Sequence, residues 1–293
     1  EIIKTFNPIR EIKNEKKSIY DHSIESEIKV TEYETPPHPN EGTPEEDTFA
    51  RILRTKNLRV GYVSNAAPFS FSNFDHALVG YNIAYAYELA YDLGCSLELV
   101  PMTYANVSDE LLNNTYDIAM STLSMTEGRL KRITFTDPYM KPEIVFVSLT
   151  SRKRKFKSLK TVQETASISI AVLKGSSYEK LAKEFFPEHS IILLDDYNQF
   201  ETGHMGDILL WEEPQAIAWI MRHKKFCMIY PEPSLARDPF AYAIRPDNDR
   251  FLNYLNQWME LKSIQGYKDR QYKLWIEGKT EIAAHPTPRW SLL

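Results

Sequence analysis

Short apolar stretches alternate with helical patterns along most of this chain. The first, Leu58–Val63, reads as a buried strand. Tyr81–Leu93 follows with apolar positions at Ile83, Ala86, Ala90 and Leu93, the spacing of one helix face, and Gly94 closes it. Ser96–Pro101 predicts a second strand, Val107–Asn114 a short helix and Tyr116–Met120 a third strand. Beyond a strand at Glu143–Leu149 the alternation resumes. Strands are expected at Ser169–Leu173, Ile191–Leu194, Asp207–Leu210 and Phe226–Tyr230, and helices at Tyr178–Phe186 and Gln215–Arg222. A strand at Phe240–Ile244 precedes helical patterns at Phe251–Lys262 and Gly266–Trp275. Such alternation predicts parallel α/β sheets. Ligands of these sheets bind beyond the carboxyl ends of the strands, where Ser121 and the Ala66–Ser70 loop fall.

The start of the chain breaks this pattern. Residues 1–33 are charged with scattered isoleucines, a poor helical signal. Residues 34–46 hold four prolines and a glycine, which predicts an extended linker. The globular part is expected to begin near Thr48, with a short helix before Leu58.

A length of 293 residues allows one large or two modest domains with a substantial core. The net charge of −5 argues against nucleic acid as a main partner. No run of 18 apolar residues marks a membrane span. The chain opens on Glu1 with no signal-peptide pattern behind it, so a removed leader or a larger parent protein is expected. Cys95 and Cys227 are expected to be free, mostly buried thiols. The basic run Ser151-Arg-Lys-Arg-Lys-Phe-Lys157 reads as a solvated loop, with steering of an anion or docking of a partner as its alternatives.

The densest chemistry lies in Ser121-Thr-Leu-Ser-Met-Thr-Glu-Gly-Arg129, followed by Phe135-Thr-Asp-Pro-Tyr139. Hydroxyls, a helix start capped by Thr126 and one arginine fall within nine residues. A guanidinium fork fits a carboxylate with two parallel hydrogen bonds, and helix-start amides add partial positive charge. Taken alone, the stretch also reads as an ordinary capped helix with an exposed arginine. The seven histidines show no ligand spacing with Cys or carboxylates, and there is no Gly-x-Ser-x-Gly elbow and no phosphate-cradling loop. His204 reads as a loop residue. Neither a cofactor nor a metal is expected.

The order Leu58-Arg-Val-Gly-Tyr-Val63, Ala67-Pro-Phe-Ser-Phe71, Val79-Gly-Tyr-Asn-Ile83 and Ser121–Arg129 resembles the type II periplasmic solute-binding proteins, specifically the family 3 branch that carries amino acids. The resemblance runs from about Leu58 to about Glu277. It implies an α/β fold of two lobes, each a sheet flanked by helices, joined by a two-strand hinge. The implied division is an extension and linker over 1–47, a first lobe over 48–147 plus 236–280, a second lobe over 148–235 and a tail over 281–293. The implied activity is capture of an amino acid, or a similar small carboxylate, by hinge closure. A membrane transporter permease, separate or fused to the chain, would be the partner, and the place periplasmic or otherwise extracytoplasmic.

The resemblance also implies roles for individual residues. Arg129 falls on the carboxylate-binding arginine, Ser124 on a hydroxyl of the same loop and Thr122 on a position whose backbone contacts ligand. In Lys174-Gly-Ser-Ser177, the amides of Ser176 and Ser177 would take the other side of the carboxylate, and Ser176 and Glu179 have capping-box spacing. Glu212 falls on the acid that binds the amino group, where the family more often has aspartate. Its neighbour Glu213 would point to the opposite face if the strand continued. Tyr104 would pack over the ligand side chain, and Phe69 would line the site from its loop. Ahead of that loop's proline the family carries an aromatic where this chain has Ala66, so Tyr62, Phe71 and Trp211 are candidates to replace it.

Two other classes stay open. Cyclohexadienyl dehydratases share this fold, and such an enzyme would recruit Glu212 or Glu213 as an acid. A ligand-sensing domain tethered to a membrane receptor or transporter would account for the N-terminal segment and linker.

Overall fold

The computed structural model describes residues 28–40, 46–73, 76–165, 167–202 and 205–278. The expectations for residues 1–27, for the tail over 281–293 and for His204 lie outside these residues.

The first lobe begins with β1 (Val30–Glu32), α1 (Thr48–Thr55), β2 (Asn57–Val63), the short hairpin β3 (Phe71–Ser72) and β4 (Leu78–Val79), and α2 (Tyr81–Leu93). It continues with β5 (Ser96–Met102), α3 (Val107–Leu112), β6 (Ile118–Ala119), α4 (Glu127–Leu130) and β7 (Thr134–Phe135). The chain then crosses to the second lobe: β8 (Ile144–Leu149), α5 (Leu159–Gln163), β9 (Ser169–Leu173), α6 (Tyr178–Phe185), β10 (Ser190–Leu194), β11 (Ile208–Glu212), α7 (Glu213–Arg222) and β12 (Phe226–Ile229). It crosses back for β13 (Ala243–Ile244), α8 (Asp249–Ile264) and α9 (Tyr267–Gln271), which runs on into a wider helical turn over Tyr272–Ile276.

The first sheet has the order β1-β5-β2-β6-β13-β7, parallel except where β13 runs against β6 and β7. The second has the order β10-β9-β11-β8-β12, with β8 antiparallel to both neighbours. Strand periodicity explains how the first sheet is covered on both faces. On β5, Leu97 and Leu99 join one buried cluster with Ile52, Leu89, Phe251 and Trp258, while Val100 and Met102 join another with Leu111, Tyr116 and Phe135. The second lobe has its own core around Phe146, Val172, Phe186, Leu209 and Trp219.

Between the lobes the two crossings run antiparallel. Phe240 N–H donates to Met140 O at 2.9 Å, Asp238 N–H to Pro142 O at 2.9 Å and Ile144 N–H to Ala236 O at 3.1 Å. This is the two-strand hinge of a type II periplasmic binding fold.

The boundaries differ from the sequence expectation in two places. All of β8, Ile144–Val147 included, pairs within the second sheet, so that sheet starts ahead of residue 148. And residues 28–40 are not a free linker. β1 pairs in parallel with β5, Tyr33 N–H donates to Leu99 O at 2.9 Å, Arg59 Nη1 to His38 O at 2.9 Å and Asn40 Nδ2 to Asp117 Oδ1 at 2.9 Å. The physical reason is that β5 would otherwise be an open edge, and three extended residues satisfy its backbone groups.

Gly80 positions the loop after β2. Its φ is +133°, and a Cβ there would lie 2.3 Å from Phe69 O, so only glycine lets that loop approach. Tyr81 N–H then donates to Pro68 O and Asn82 N–H to Phe69 O, both at 3.0 Å. Cys95 is buried in the first lobe and Cys227 half-buried on β12, and both thiols are free. The basic side chains of the run are exposed, with Arg152 paired to Asp207 and Lys157 to Glu232, while Phe156 is buried in the second-lobe core. Among the described residues no helix is long and apolar enough to cross a membrane.

Candidate functional site

The carboxyl ends of β2, β5 and β6 face those of β9 and β11 across the cleft. After β6 the chain turns through Ser121–Met125, and Thr126 caps α4 by accepting from Arg129 N–H at 3.3 Å. The four-residue helix turns the Arg129 side chain inward. Its Nη1 donates to Ser124 O at 3.0 Å and its Nη2 to Tyr104 O at 3.3 Å. Tyr104 OH and Thr122 Oγ1 lie 2.5 Å apart. Burial pushes the Tyr104 phenol up to about 12, so it stays neutral.

The second lobe contributes the turn after β9. Gly175 takes φ +76°, and its N–H donates to the Glu179 carboxylate, while Ser176 Oγ donates to Leu173 O at 2.6 Å. The capping box expected of Ser176 and Glu179 is therefore not formed, because the turn ends one residue later. Ser177 precedes the helix, and its Oγ meets Ser124 Oγ across the cleft at 2.8 Å.

Glu212 is the last residue of β11 and the residue before α7, 1% exposed. Pro214 is compatible with the helix start, so the strand ends here and Glu213 belongs to the helix, not to the opposite face of a strand. Glu213 accepts from Tyr230 OH, away from Glu212. Glu212 Oε2 lies 2.8 Å from Tyr178 OH, and the other carboxyl oxygen accepts from Gln215 Nε2. Burial pushes its carboxyl up to about 8, against the lowering effect of those partners.

One small cavity, about 10 Å³, is lined by Tyr104, Thr122, Ser124, Arg129, Ser176, Ser177 and Glu212, together with Tyr178 and Tyr197. It has room for about one water molecule. The lobes are closed on it. Gln215 Nε2 reaches Thr122 Oγ1 at 3.3 Å, and at the rim Lys180 Nζ reaches Glu127 at 3.2 Å.

Phe69 is the exception among the expected residues. It is fully buried in the first-lobe core, edge-on to Tyr81 and Phe240 at 6.1 and 6.0 Å, and does not line the cavity. The backbone bonds to α2 hold it there. None of the three aromatics suggested to stand in for Ala66 lines the cavity either. Tyr62 is core, Phe71 packs on Trp275, and Trp211 stacks under Tyr197 at 3.7 Å between centroids. Besides Tyr104, the aromatics that reach the cavity are Tyr178 and Tyr197.

Sequence reading missed Tyr178, Tyr197, Gln215 and Asp238. Asp238 sits in the return crossing, 6% exposed, accepts from Ser124 Oγ at 2.6 Å and lies 2.9 Å from Tyr178 OH. Burial raises its pKa. Tyr178 directly follows the recognised Ser176–Ser177 turn, a signal that could have found it; Asp238 has no local motif. Among the described residues no cluster of His, Cys, Asp and Glu is arranged to hold a metal ion.

Residues 58–278 match the family described as bacterial extracellular solute-binding proteins, family 3. The chain is 25% identical over 237 residues to the cyclohexadienyl dehydratase of Pseudomonas aeruginosa, covering 80% of this chain and 87% of that protein. It is 25% identical over 230 residues to the arginine-binding extracellular protein ArtP of Bacillus subtilis, covering 76% and 88%. The solved structure of an ancestral amino acid-binding protein, described as a precursor of cyclohexadienyl dehydratase, superposes with a TM-score of 0.72 at 27% identity over 78% of this chain and 99% of that one. With this match, the two-lobe architecture and the cleft between the lobes, the chain belongs to family 3 of the bacterial extracellular solute-binding proteins.

Proposed function

We propose that this chain captures an amino acid between its lobes and that its closed form is read by a membrane transporter. One observation carries the reading: a guanidinium from the first lobe, Arg129, and a carboxyl from the second, Glu212, line the same buried cavity. An amino acid presents a carboxylate and an ammonium on one carbon, and burying either without a partner costs several kcal/mol. Opening at the hinge would free Arg129 from the Ser124 and Tyr104 carbonyls for a ligand carboxylate. The Ser177 amide would approach its other side as the lobes close, whereas Ser176 N–H already donates to Leu173 O at 3.2 Å. Tyr104 and Tyr197 would flank the ligand side chain. Ligand contacts to both lobes favour the closed form by no more than their differential affinity.

Relatives that bind amino acids, such as ArtP, support the same reading. A transporter permease is the partner it implies, and a fused permease or receptor would show in the parent reading frame. Thermal unfolding against a panel of amino acids tests the capture. A ligand at about 100 times its Kd should stabilise the fold by roughly 2.7 kcal/mol, a rise of several degrees in Tm. Arg129→Ala should remove the rise. A flat panel for the wild type, or a rise that persists in Arg129→Ala, would count against the site as built.

A second reading is favoured by one feature. Glu212, pushed up to about 8, holds its proton at neutral pH in a water-poor cavity, as a general acid must. That supports a dehydratase like the Pseudomonas aeruginosa relative. Incubation with prephenate under saturating conditions separates the two: absence of turnover leaves the binding protein.

A further inference from the structure

The site carries more hydrogen-bond contacts than its hydroxyl protons can fill. Tyr178 OH lies 2.8 Å from Glu212 Oε2 and 2.9 Å from Asp238 Oδ2. A phenol has one proton to donate, so it can serve only one of these oxygens. If both acids were ionised, the other contact would set a lone pair against a negative oxygen in a buried site. The neighbouring hydroxyls supply no spare proton. Ser124 donates to Asp238 Oδ2, and Ser177 is left to donate to Ser124. The Gln215 amide serves the other Glu212 oxygen. One more hydrogen is needed between the two acids.

We propose that Glu212 and Asp238 share one extra proton through the Tyr178 hydroxyl, and that the ammonium of an incoming ligand displaces it, so that capture releases a proton. This rests on the reading of the cleft as an amino acid site. The surroundings place the proton on Glu212. Facing it are Tyr178 from α6, Tyr197 from the turn ahead of β11, Tyr104 from the loop after β5 and Asp238 from the return crossing, with Tyr139 behind them. All are neutral phenols or a like charge. The one cation, Arg129, acts on Asp238. Glu212–H therefore donates to the Tyr178 oxygen, and Tyr178 donates to Asp238, which stays ionised. A ligand ammonium brings the missing positive charge to Glu212. The carboxyl then ionises, its proton leaves to solvent, and Tyr178 turns its hydrogen to whichever oxygen the ligand leaves unserved. The ligand enters as a zwitterion with no net charge and one proton leaves to solvent, so the site gains one negative charge, with Arg129 facing the ligand carboxylate and Glu212 its ammonium. Asp238 and Tyr178 act here as positioning residues that set which acid holds the proton.

Two measurements decide it. Infrared difference spectra of the ligand-free protein between pH 6 and pH 10 should contain a protonated-carboxyl band that titrates near pH 8, as burial of Glu212 requires. The band should be missing in Glu212→Gln and should shift its midpoint in Tyr178→Phe, which deletes only the bridging hydroxyl. A wild-type spectrum without it, or the same band in Glu212→Gln, overturns the shared proton. Calorimetry with L-arginine, L-lysine and L-glutamine at pH 7, in two buffers of different ionisation enthalpy, should report release of about one proton per ligand bound. The same titration of Glu212→Gln should release none. Binding with no proton released overturns the displacement while leaving the amino acid site intact. Failure of every amino acid to bind overturns the amino acid reading and the displacement together, and the spectrum still decides the shared proton.

Discussion

Asp117, just ahead of β6 in the first lobe, and Glu212, at the end of β11 in the second, are both nearly inaccessible to solvent, at 4% and 1% exposure. Their partners differ in kind. Asp117 meets the guanidinium of Arg51 and also accepts from Arg59 N–H and Asn40 Nδ2, each at 2.9 Å. Arg59 is itself paired with Glu98 at 2.6 Å. Glu212 has only neutral hydrogen-bond partners, a phenol and an amide. Burial pushes both carboxyls up, but Arg51 holds Asp117 to about 6, whereas Glu212 reaches about 8. Burial favours the protonated form in both, and only Asp117 has a cation beside it to oppose that. The contrast separates structure from function. An acid that welds the N-terminal segment to its lobe carries its cation with it. Glu212 is left without one, and in the proposed function the ligand's own ammonium supplies it.

The largest effect expected is on the welded acid. Asp117→Ala strands the Arg51 guanidinium in the core and should cost about 3–5 kcal/mol of stability in denaturant unfolding. A loss below about 1 kcal/mol would mean that the Asp117 network contributes little, and the contrast with Glu212 would fail.

Next in size is the pH dependence of Glu212. Its folded pKa is raised from 4.5 to about 8, so between these values the folded chain holds a proton that the unfolded chain has lost. Stability present at low pH should therefore fall as pH rises through this window, by up to about 1.4 kcal/mol per unit, and level off above it. Urea midpoints at pH 5, 7 and 9 should show this slope for the wild type relative to Glu212→Gln. An opposite slope would assign the proton elsewhere.

Smaller effects sharpen the comparison at the rim. Thr126→Ala removes the cap that orients Arg129 and should cost about 1 kcal/mol, seen as a lower Tm and weaker ligand binding together. The exposed Lys180–Glu127 pair spans the cleft mouth, yet such pairs contribute at most about 1 kcal/mol, so Lys180→Ala should change affinity less than about fivefold. A larger change would show that rim charge, not the buried clamps, governs closure.

Much of the fold was legible because its causes are local. The helix over 81–93 and its Gly94 stop, the strand at 169–173 and the Thr126 cap follow from spacing and from a single residue's conformational freedom. The site's loop residues were legible through their order along the chain. Other features were not, since each depends on a partner far away. Residues 30–32 read as charged and irregular until the open edge of β5 is present to pair them. Phe69 looked like a cleft aromatic until Gly80 drew its loop onto α2. Asp238 lies 114 residues from Ser124 and 60 from Tyr178, and only the returning crossing brings them within hydrogen-bond reach.

By itself the sequence determined two α/β units and the capped loop that carries Arg129, because periodicity, capping and residue type act over a few neighbours, while the acid at position 212 was singled out only through the resemblance to a family. The tertiary structure decided which acids are buried beside a cation and which without one, which aromatics face the cleft and which segment closes the sheet. These depend on solvent exclusion and on charges brought together by the hinge, and neither is encoded in any short stretch of chain.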